Sequence, residues 1–107
     1  EDFYDFGGIG SDEVVRHDFV IFNQGEAPLT IHRAYTTCGC TTAQFTATII
    51  PPGKAILVTL ILDAGFHDVR DQTVRRGVII EVNDLRNPQV ELWAQASVSK
   101  EKRFYGN

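Results

Sequence analysis

The sequence predicts one all-β domain, an antiparallel β-sandwich of about seven strands. Two observations carry this. Apolar residues recur with a period of two along nearly the whole chain, and no stretch has the spacing of an amphipathic helix. Turn signals also punctuate the chain at short intervals: Asn23-Gln24-Gly25-Glu26, Pro51-Pro52-Gly53, and Asn83 to Pro88. At 107 residues there is material for one core and not for two. A small closed barrel has the same pattern signature, and periodicity alone does not separate the two.

The elements follow in order. Phe3, Tyr4 and Phe6 begin a short first strand that Gly7, Gly8 and Gly10 are expected to end. Val14 to Phe22 alternates cleanly, with Val15, His17, Phe19 and Ile21 on one face. Pro28 sets the start of a third strand, Leu29 to Thr36. Thr41 to Thr48 is β-prone but polar, which suits a sheet edge. After Pro51-Pro52-Gly53, Lys54 to Leu62 is nearly continuous Ile, Leu and Val, the mark of a central strand. Asp63 to Thr73 is a charged loop, and Val74 to Val82 and Val90 to Val98 are the last two strands. The domain is expected to span residues 1–99, with Lys100 to Asn107 as a tail. The predicted core is Phe19, Ile31, Ile56, Val58, Leu60, Leu62, Val78, Ile80, Val82 and Leu92.

Composition narrows the function classes. Ten lysines and arginines against 14 aspartates and glutamates give a net charge of −4, with no basic block to gather phosphates. Nucleic acid is therefore not an expected partner. No apolar run reaches the roughly 20 residues of a membrane helix, so contact with a membrane would need a partner or a removed anchor. No methionine occurs, position 1 included, so a chain that is processed, trimmed or lacking its start is expected. Gly7-Gly8-x-Gly10 lacks the strand-to-helix context of a phosphate loop, and no nucleophile sits in a recognisable catalytic motif. Asp63, Asp68 and Asp71 match no calcium loop, and Arg70 among them marks solvated loop charges. His17, between Val15 and Phe19, reads as a hydrogen-bonded histidine near a sheet end.

Several segments carry a resemblance. His17 to Gly25 leads into Ala27-Pro28-Leu29-Thr30-Ile31, followed by Thr37-Cys38-Gly39-Cys40-Thr41, Pro52-Gly53-Lys54, and Asn83-Asp84 before Asn87-Pro88. Their order and spacing resemble the bacterial DUF1573 family, of immunoglobulin-like fold and related to the Ig-like modules of the ASPM, SPD-2 and Hydin group. The resemblance runs from about Phe6 to Val98 and departs at Gln95-Ala96 and in the longer loop from Asp68 to Arg76. It implies an Ig-like sandwich and an exported protein, in the periplasm or outer cell envelope.

The Cys38-Gly39-Cys40 motif admits three readings. Two thiolates spaced by one residue can hold a thiophilic ion such as Cu(I) or Zn, with His67 or His32 to complete the set. His32 lies six residues from Cys38, about 20 Å along an unbroken strand, and joins only if the chain doubles back. Alternatively the pair closes a tight, exchangeable disulfide, with Gly39 taking the required dihedrals. No histidine or lysine within three residues lowers a thiol pKa. In the third and favoured reading, the segment is a compact turn between sheets whose cysteines are small buried hydrophobes.

The outward faces are more informative. With Ile56, Val58, Leu60 and Leu62 inward, Leu57 and Ile61 point out, as do Val20 and Phe22 on the strand that the immunoglobulin arrangement implied by the resemblance makes its neighbour. These four are expected to form one apolar patch, with Ile79 and Trp93 outward on the other sheet and Phe104 and Tyr105 in the tail. The expected function is a non-catalytic binding or structural module, without a cofactor, in a larger envelope or extracellular protein assembly. The first or last strand offers an edge for a partner. The rival is a metal-binding or thiol-redox module centred on Cys38 and Cys40.

Overall fold

A computed structural model describes residues 2–101. Eight strands form two sheets: β1 (Phe3–Ile9), β2 (Val14–Phe22), β3 (Leu29–Thr36), β4 (Thr41–Phe45), β5 (Ile49–Ile50), β6 (Ala55–Asp63), β7 (Thr73–Val82) and β8 (Gln89–Val98). The larger sheet has the order β1-β8-β7-β3-β5 and the smaller β2-β6-β4. The β-sandwich expected from the sequence is borne out, with β2 and β3 falling on their expected bounds and β6 central in its sheet.

Three features differ from expectation. First, β1 continues through Gly7 and Gly8 and pairs with β8 in parallel, so the sandwich is not wholly antiparallel. Its register shifts between Asp5 and Gly8, and Gly7 takes a φ of 73°, so the glycines form a bulge instead of a stop. Second, the chain leaves β4 at Phe45 and crosses to the larger sheet, where Ile49–Ile50 pairs with Leu29 and Thr30 of β3. A two-residue strand is below what periodicity detects. Third, β1 covers β8, so β1 is the only terminal strand left as an edge.

The core is the set of facing inward residues. Phe19, Ile21, Ile56, Val58 and Leu60 of the smaller sheet meet Ile50, Val78, Ile80, Val82, Leu92 and Ala94 of the larger. Ile9, Leu62, Ala64, Val74, Ala96 and Val98 continue the core toward one end. Nine of the ten predicted core residues are buried; Ile31 is only partly so, because the β3 register shifts between Ile31 and Arg33. His17 stacks on Tyr4 with centroids 3.7 Å apart and meets the Phe19 ring edge-on.

Two local contacts fix this arrangement. Asn23 is 5% exposed, and its Nδ2 donates to Ala27 O (2.9 Å) and Ile50 O (2.8 Å) while its Oδ1 accepts from Gly25 N. Its backbone N donates to Lys54 O, and its backbone O accepts from Gly53 N, closing the β2–β6 ladder at the turn. At Gly77 the second contact is steric. A Cβ there would lie 2.7 Å from the Trp93 ring and 2.8 Å from Leu92 O, so only glycine lets the indole lie against β7.

Asn23→Ala should therefore cost about 2–4 kcal/mol, because it strips partners from two carbonyls and one amide. The isosteric Asn23→Asp should be no better, since a carboxylate cannot donate to those carbonyls. Urea unfolding checks both. Gly77→Ala should cost about 1–3 kcal/mol by overpacking, and the tryptophan emission of the folded protein should shift as the indole is displaced.

Candidate functional site

The Cys38-Gly39-Cys40 segment is the crossing from one sheet to the other. β3 ends at Thr36, and Thr37 clamps the chain to β7: its N donates to Gly77 O (3.0 Å) and its Oγ1 accepts from Gly77 N (3.1 Å). Thr41 N donates to Cys38 O (3.1 Å), closing a turn, and Asp63 N donates to Cys40 O (2.9 Å), tying the start of β4 to β6. The compact inter-sheet turn read from the sequence is therefore present. Its cysteines, however, are not free thiols: Cys38 and Cys40 are joined in a disulfide, their Cα atoms 5.1 Å apart. The turn itself brings the sulfurs together.

The two sulfurs have unequal surroundings. Cys40 is 7% exposed, whereas Cys38 is half-buried at the surface. Arg76 Nε donates to Cys40 Sγ at 3.3 Å, Thr41 Oγ1 lies 3.3 Å from the same sulfur, and Cys40 N donates to Cys38 Sγ at 3.1 Å. The Arg76 guanidinium also donates to Arg75 O (2.9 Å). Cys40 and Arg76 line a narrow recess with Leu62, Asp63, Ala64, His67, Val69 and Val74. Phe66, 56% exposed, lays its ring edge over Gly39.

Arg76 escaped the sequence reading because it is 36 residues from Cys40. The signal was nevertheless there. Val74, Val78, Ile80 and Val82 point inward, and Arg76 shares their phase, so a cation stands in a strand's core-facing register. Of the two histidines considered for a metal, His67 reaches the recess. His32 lies at the far end of β3, beside Val82, Pro88 and Glu91. While the disulfide is closed neither sulfur is a thiolate ligand, and the described residues contain no group of three His, Cys, Asp or Glu side chains placed to hold a metal.

The loop beside the site is organised by charge. Arg70 forks onto Asp68, Nε to Oδ1 at 2.8 Å and Nη2 to Oδ2 at 2.9 Å. These hydrogen bonds hold the Asp68 carboxyl down at about 2. Asp71 pairs with Lys100 at 3.9 Å, and Asp63 accepts from Gly65 N. These are solvated loop charges, as the sequence predicts.

The second candidate is the outer face of β2 and β6. Val20 stands directly opposite Leu57, and Phe22 opposite Ala55. Val20, Phe22 and Leu57 each leave 40% or more of their surface exposed. Ile61 faces Arg16 instead, about 13 Å along the strand from Leu57. Asp18 and Thr59 are hydrogen-bonded in the row between. The expected single patch is thus two: Val20, Phe22 and Leu57 at one end, Ile61 near Val14 at the other. On the opposite sheet Ile79 and Trp93 point outward and are half-covered, Trp93 with its Nε1 donating to Glu91 Oε1 at 3.0 Å. Ser11 N donates to Glu101 O (3.2 Å), so the start of the tail lies against the body, while Phe104 and Tyr105 fall outside the described residues. No helix among the described residues is long and apolar enough to cross a membrane.

Comparisons with known proteins agree with this architecture. The model of a family described as "Protein of unknown function (DUF1573)" matches residues 1–98. No curated protein matches the sequence. A protein of unknown function from Porphyromonas gingivalis W83 superposes with a TM-score of 0.80 at 24% identity, over 90% of this chain and 44% of that one. The secreted serine protease VesC of Vibrio cholerae does so with a TM-score of 0.64 at 12% identity, over 88% of this chain and 21% of that one. The Vibrio cholerae VesB protease gives 0.60 at 14% identity, over 92% and 30%. This chain spans less than half the length of each, and at these identities the likeness is one of fold.

The energetics of the disulfide give one prediction. A ring closed over three residues removes little freedom from the unfolded chain, about 1.5 kcal/mol by loop-closure entropy. Against a domain stability of about 5–15 kcal/mol, reduction should leave the protein folded, with urea unfolding shifted by no more than that amount. Unfolding on reduction would show that the bond holds the fold. A second concerns pH. Because folding depresses the Asp68 pKa, its ion pair contributes above the ordinary carboxylate range and is lost as pH falls through about 2. NMR titration should find that low midpoint, and Arg70→Gln should return it toward the usual aspartate value.

Proposed function

We propose that this chain, which belongs to the DUF1573 family, acts by binding: a non-catalytic module in a larger protein assembly of the cell envelope or extracellular space. The observation that carries the reading is the outer face of β2 and β6. There Val20, Phe22 and Leu57 sit in adjacent registered positions with their apolar surface toward water. A sheet face of a monomer normally alternates inward apolar with outward polar residues, and three contiguous large hydrophobes on the wet side mark a contact surface. Ile61, beyond the Asp18–Thr59 row, offers a separate contact farther along β6, and Trp93 offers another on the opposite sheet. The Phe104–Tyr105 pair of the tail, outside the described residues, is a further candidate. The mechanism is passive, since the strands present the side chains in a fixed register and little ordering entropy is lost on docking.

The disulfide supports export. Disulfides persist in the periplasm and outside the cell and are rare in the reducing cytosol. An exported protein with a preformed apolar face fits an accessory subunit held against a neighbour.

Paired substitutions on the two faces test this. Val20→Asp with Leu57→Lys should leave the thermal transition nearly unchanged, because both residues are exposed, yet dissolve the native complex as judged by sedimentation of envelope or secreted fractions. Arg33→Glu, on the outer face of the other sheet, should leave the complex intact. Assembly that survives the paired change, or fails equally with Arg33→Glu, would refute the assignment of this face.

A further inference from the structure

We propose that the Cys38–Cys40 disulfide is a thiol–disulfide exchange site, in which an incoming thiol attacks Cys38 and Arg76 holds the departing Cys40 as a thiolate. The site lies on the loop end of the sandwich, and its function is independent of the β2–β6 face. Two observations and one expectation converge on it. A ring closed over three residues is expected to add little stability, which makes the bond a weak staple. The sulfurs differ in access: Cys38 is half-buried at the surface and Cys40 is 7% exposed, so only one presents itself to an attacking group. And the inner sulfur, not the outer, receives a charged N–H, from Arg76 Nε at 3.3 Å, with the Thr41 hydroxyl also 3.3 Å away.

Arg76 donates from one nitrogen to Arg75 O and aims Nε at Cys40 Sγ. It occupies a core-facing position of β7 and is only partly buried, an unusual register for a cation on a sandwich strand. Among the described residues no carboxylate forms an ion pair with it. Asp63 and His67 line the same recess, but the Asp63 carboxylate accepts from Gly65 N, and His67 meets the Phe66 ring edge-on. A guanidinium directed at a sulfur is the arrangement that favours a thiolate over a thiol.

The chemistry balances as two displacements. In the first, the thiolate of an incoming thiol forms a bond to Cys38 Sγ. The Cys38–Cys40 bond breaks, and its electron pair leaves on Cys40 Sγ, next to Arg76. In the second, another thiolate attacks the incoming sulfur of this mixed disulfide, and Cys38 departs as a thiolate. The protein pair gains two electrons. Cys38 takes up one of the two protons shed by the incoming thiols, and the other passes to solvent while Cys40 stays a thiolate beside Arg76. The incoming thiols end as a disulfide. Stabilising the leaving thiolate both speeds the first displacement and favours the reduced protein, which makes the bond an oxidant toward thiols. The exposed Phe66 ring beside Gly39 offers an apolar contact for residues that flank a cysteine in a peptide.

The test uses the folded protein in glutathione buffers of stepped ratio, reading alkylated cysteines by intact mass. The wild type should be reduced without denaturant. Arg76→Gln should move the midpoint about tenfold toward the disulfide, the factor that goes with about one unit of thiol pKa, and Arg76→Lys should recover part of it. With reduced glutathione and an acid quench, the trapped mixed disulfide should map to Cys38 over Cys40 by at least about tenfold, because attack falls on the accessible sulfur and Cys40 is the better leaving thiolate. A second arm replaces glutathione with a two-cysteine peptide flanked by leucines. If Phe66→Ala slows the peptide alone, the substrate is a protein thiol; if it slows neither, a small thiol. Reduction only in denaturant, equal capture at both cysteines, or an unmoved midpoint in an Arg76→Gln protein that melts like the wild type would each overturn the proposal.

Discussion

Asn23 is where the two strands that define both the core and the exposed face are joined. Its side chain bonds to Ala27, Gly25 and Ile50, and its backbone closes on Gly53 and Lys54, so one residue holds the end of β2, the turn before β3, the short β5 and the entry to β6. The register that results sets Phe22 opposite Ala55 and Val20 opposite Leu57. Strand side chains alternate, so a one-residue slip of β2 would turn Phe19 and Ile21 to solvent and bring Val20 and Phe22 inward, and a slip of β6 would exchange Val58 and Leu60 for Leu57. At the Asn23 end of these strands both parities are apolar, Phe19 and Ile21 against Val20 and Phe22, and the polar outward residues Arg16, Asp18 and Thr59 lie farther along. Hydrophobicity alone therefore discriminates weakly between them, and a saturated buried amide supplies specificity that burial does not.

That degeneracy also explains what could be read from the sequence. The bounds of β2 and β3 were legible because Gly25 and Pro28 punctuate them, and β6 because a short aliphatic run bounded by turn signals reads as a central strand. The parallel docking of β1 was not legible, since pairing direction leaves no trace in a period of two. Ala94 and Ala96 line the core of β8 yet carry too little apolar surface to register as inward residues. Ile31 failed for another reason: alternation breaks at the register shift beside it.

The candidate sites divide the same way. Local parity found Val20, Phe22 and Leu57 because orientation along a strand is a near-neighbour property. It overextended to Ile61, since sharing a face does not imply contact across the Asp18–Thr59 row. The surroundings of the cysteines depend on tertiary closure, and a search of neighbouring residues could not bring Arg76 to Cys40. The informative clue was a conflict between levels, a cation in the inward phase of β7, and such conflicts tend to mark positions with a role beyond folding.

The domain thus carries two unlike surfaces on one scaffold: an apolar sheet face suited to a lasting contact, and an end where a surface sulfur and a charge-supported inner sulfur are suited to a transient one. The claim that the first is its working surface is tested most directly by site-specific photo-crosslinking in the cells that make the protein, with the reactive group at position 57 and, as a control, at position 81 on the other sheet. The account predicts a discrete, higher-mass protein adduct from position 57 and none from position 81. No adduct at position 57, or the same adducts from both, would contradict it.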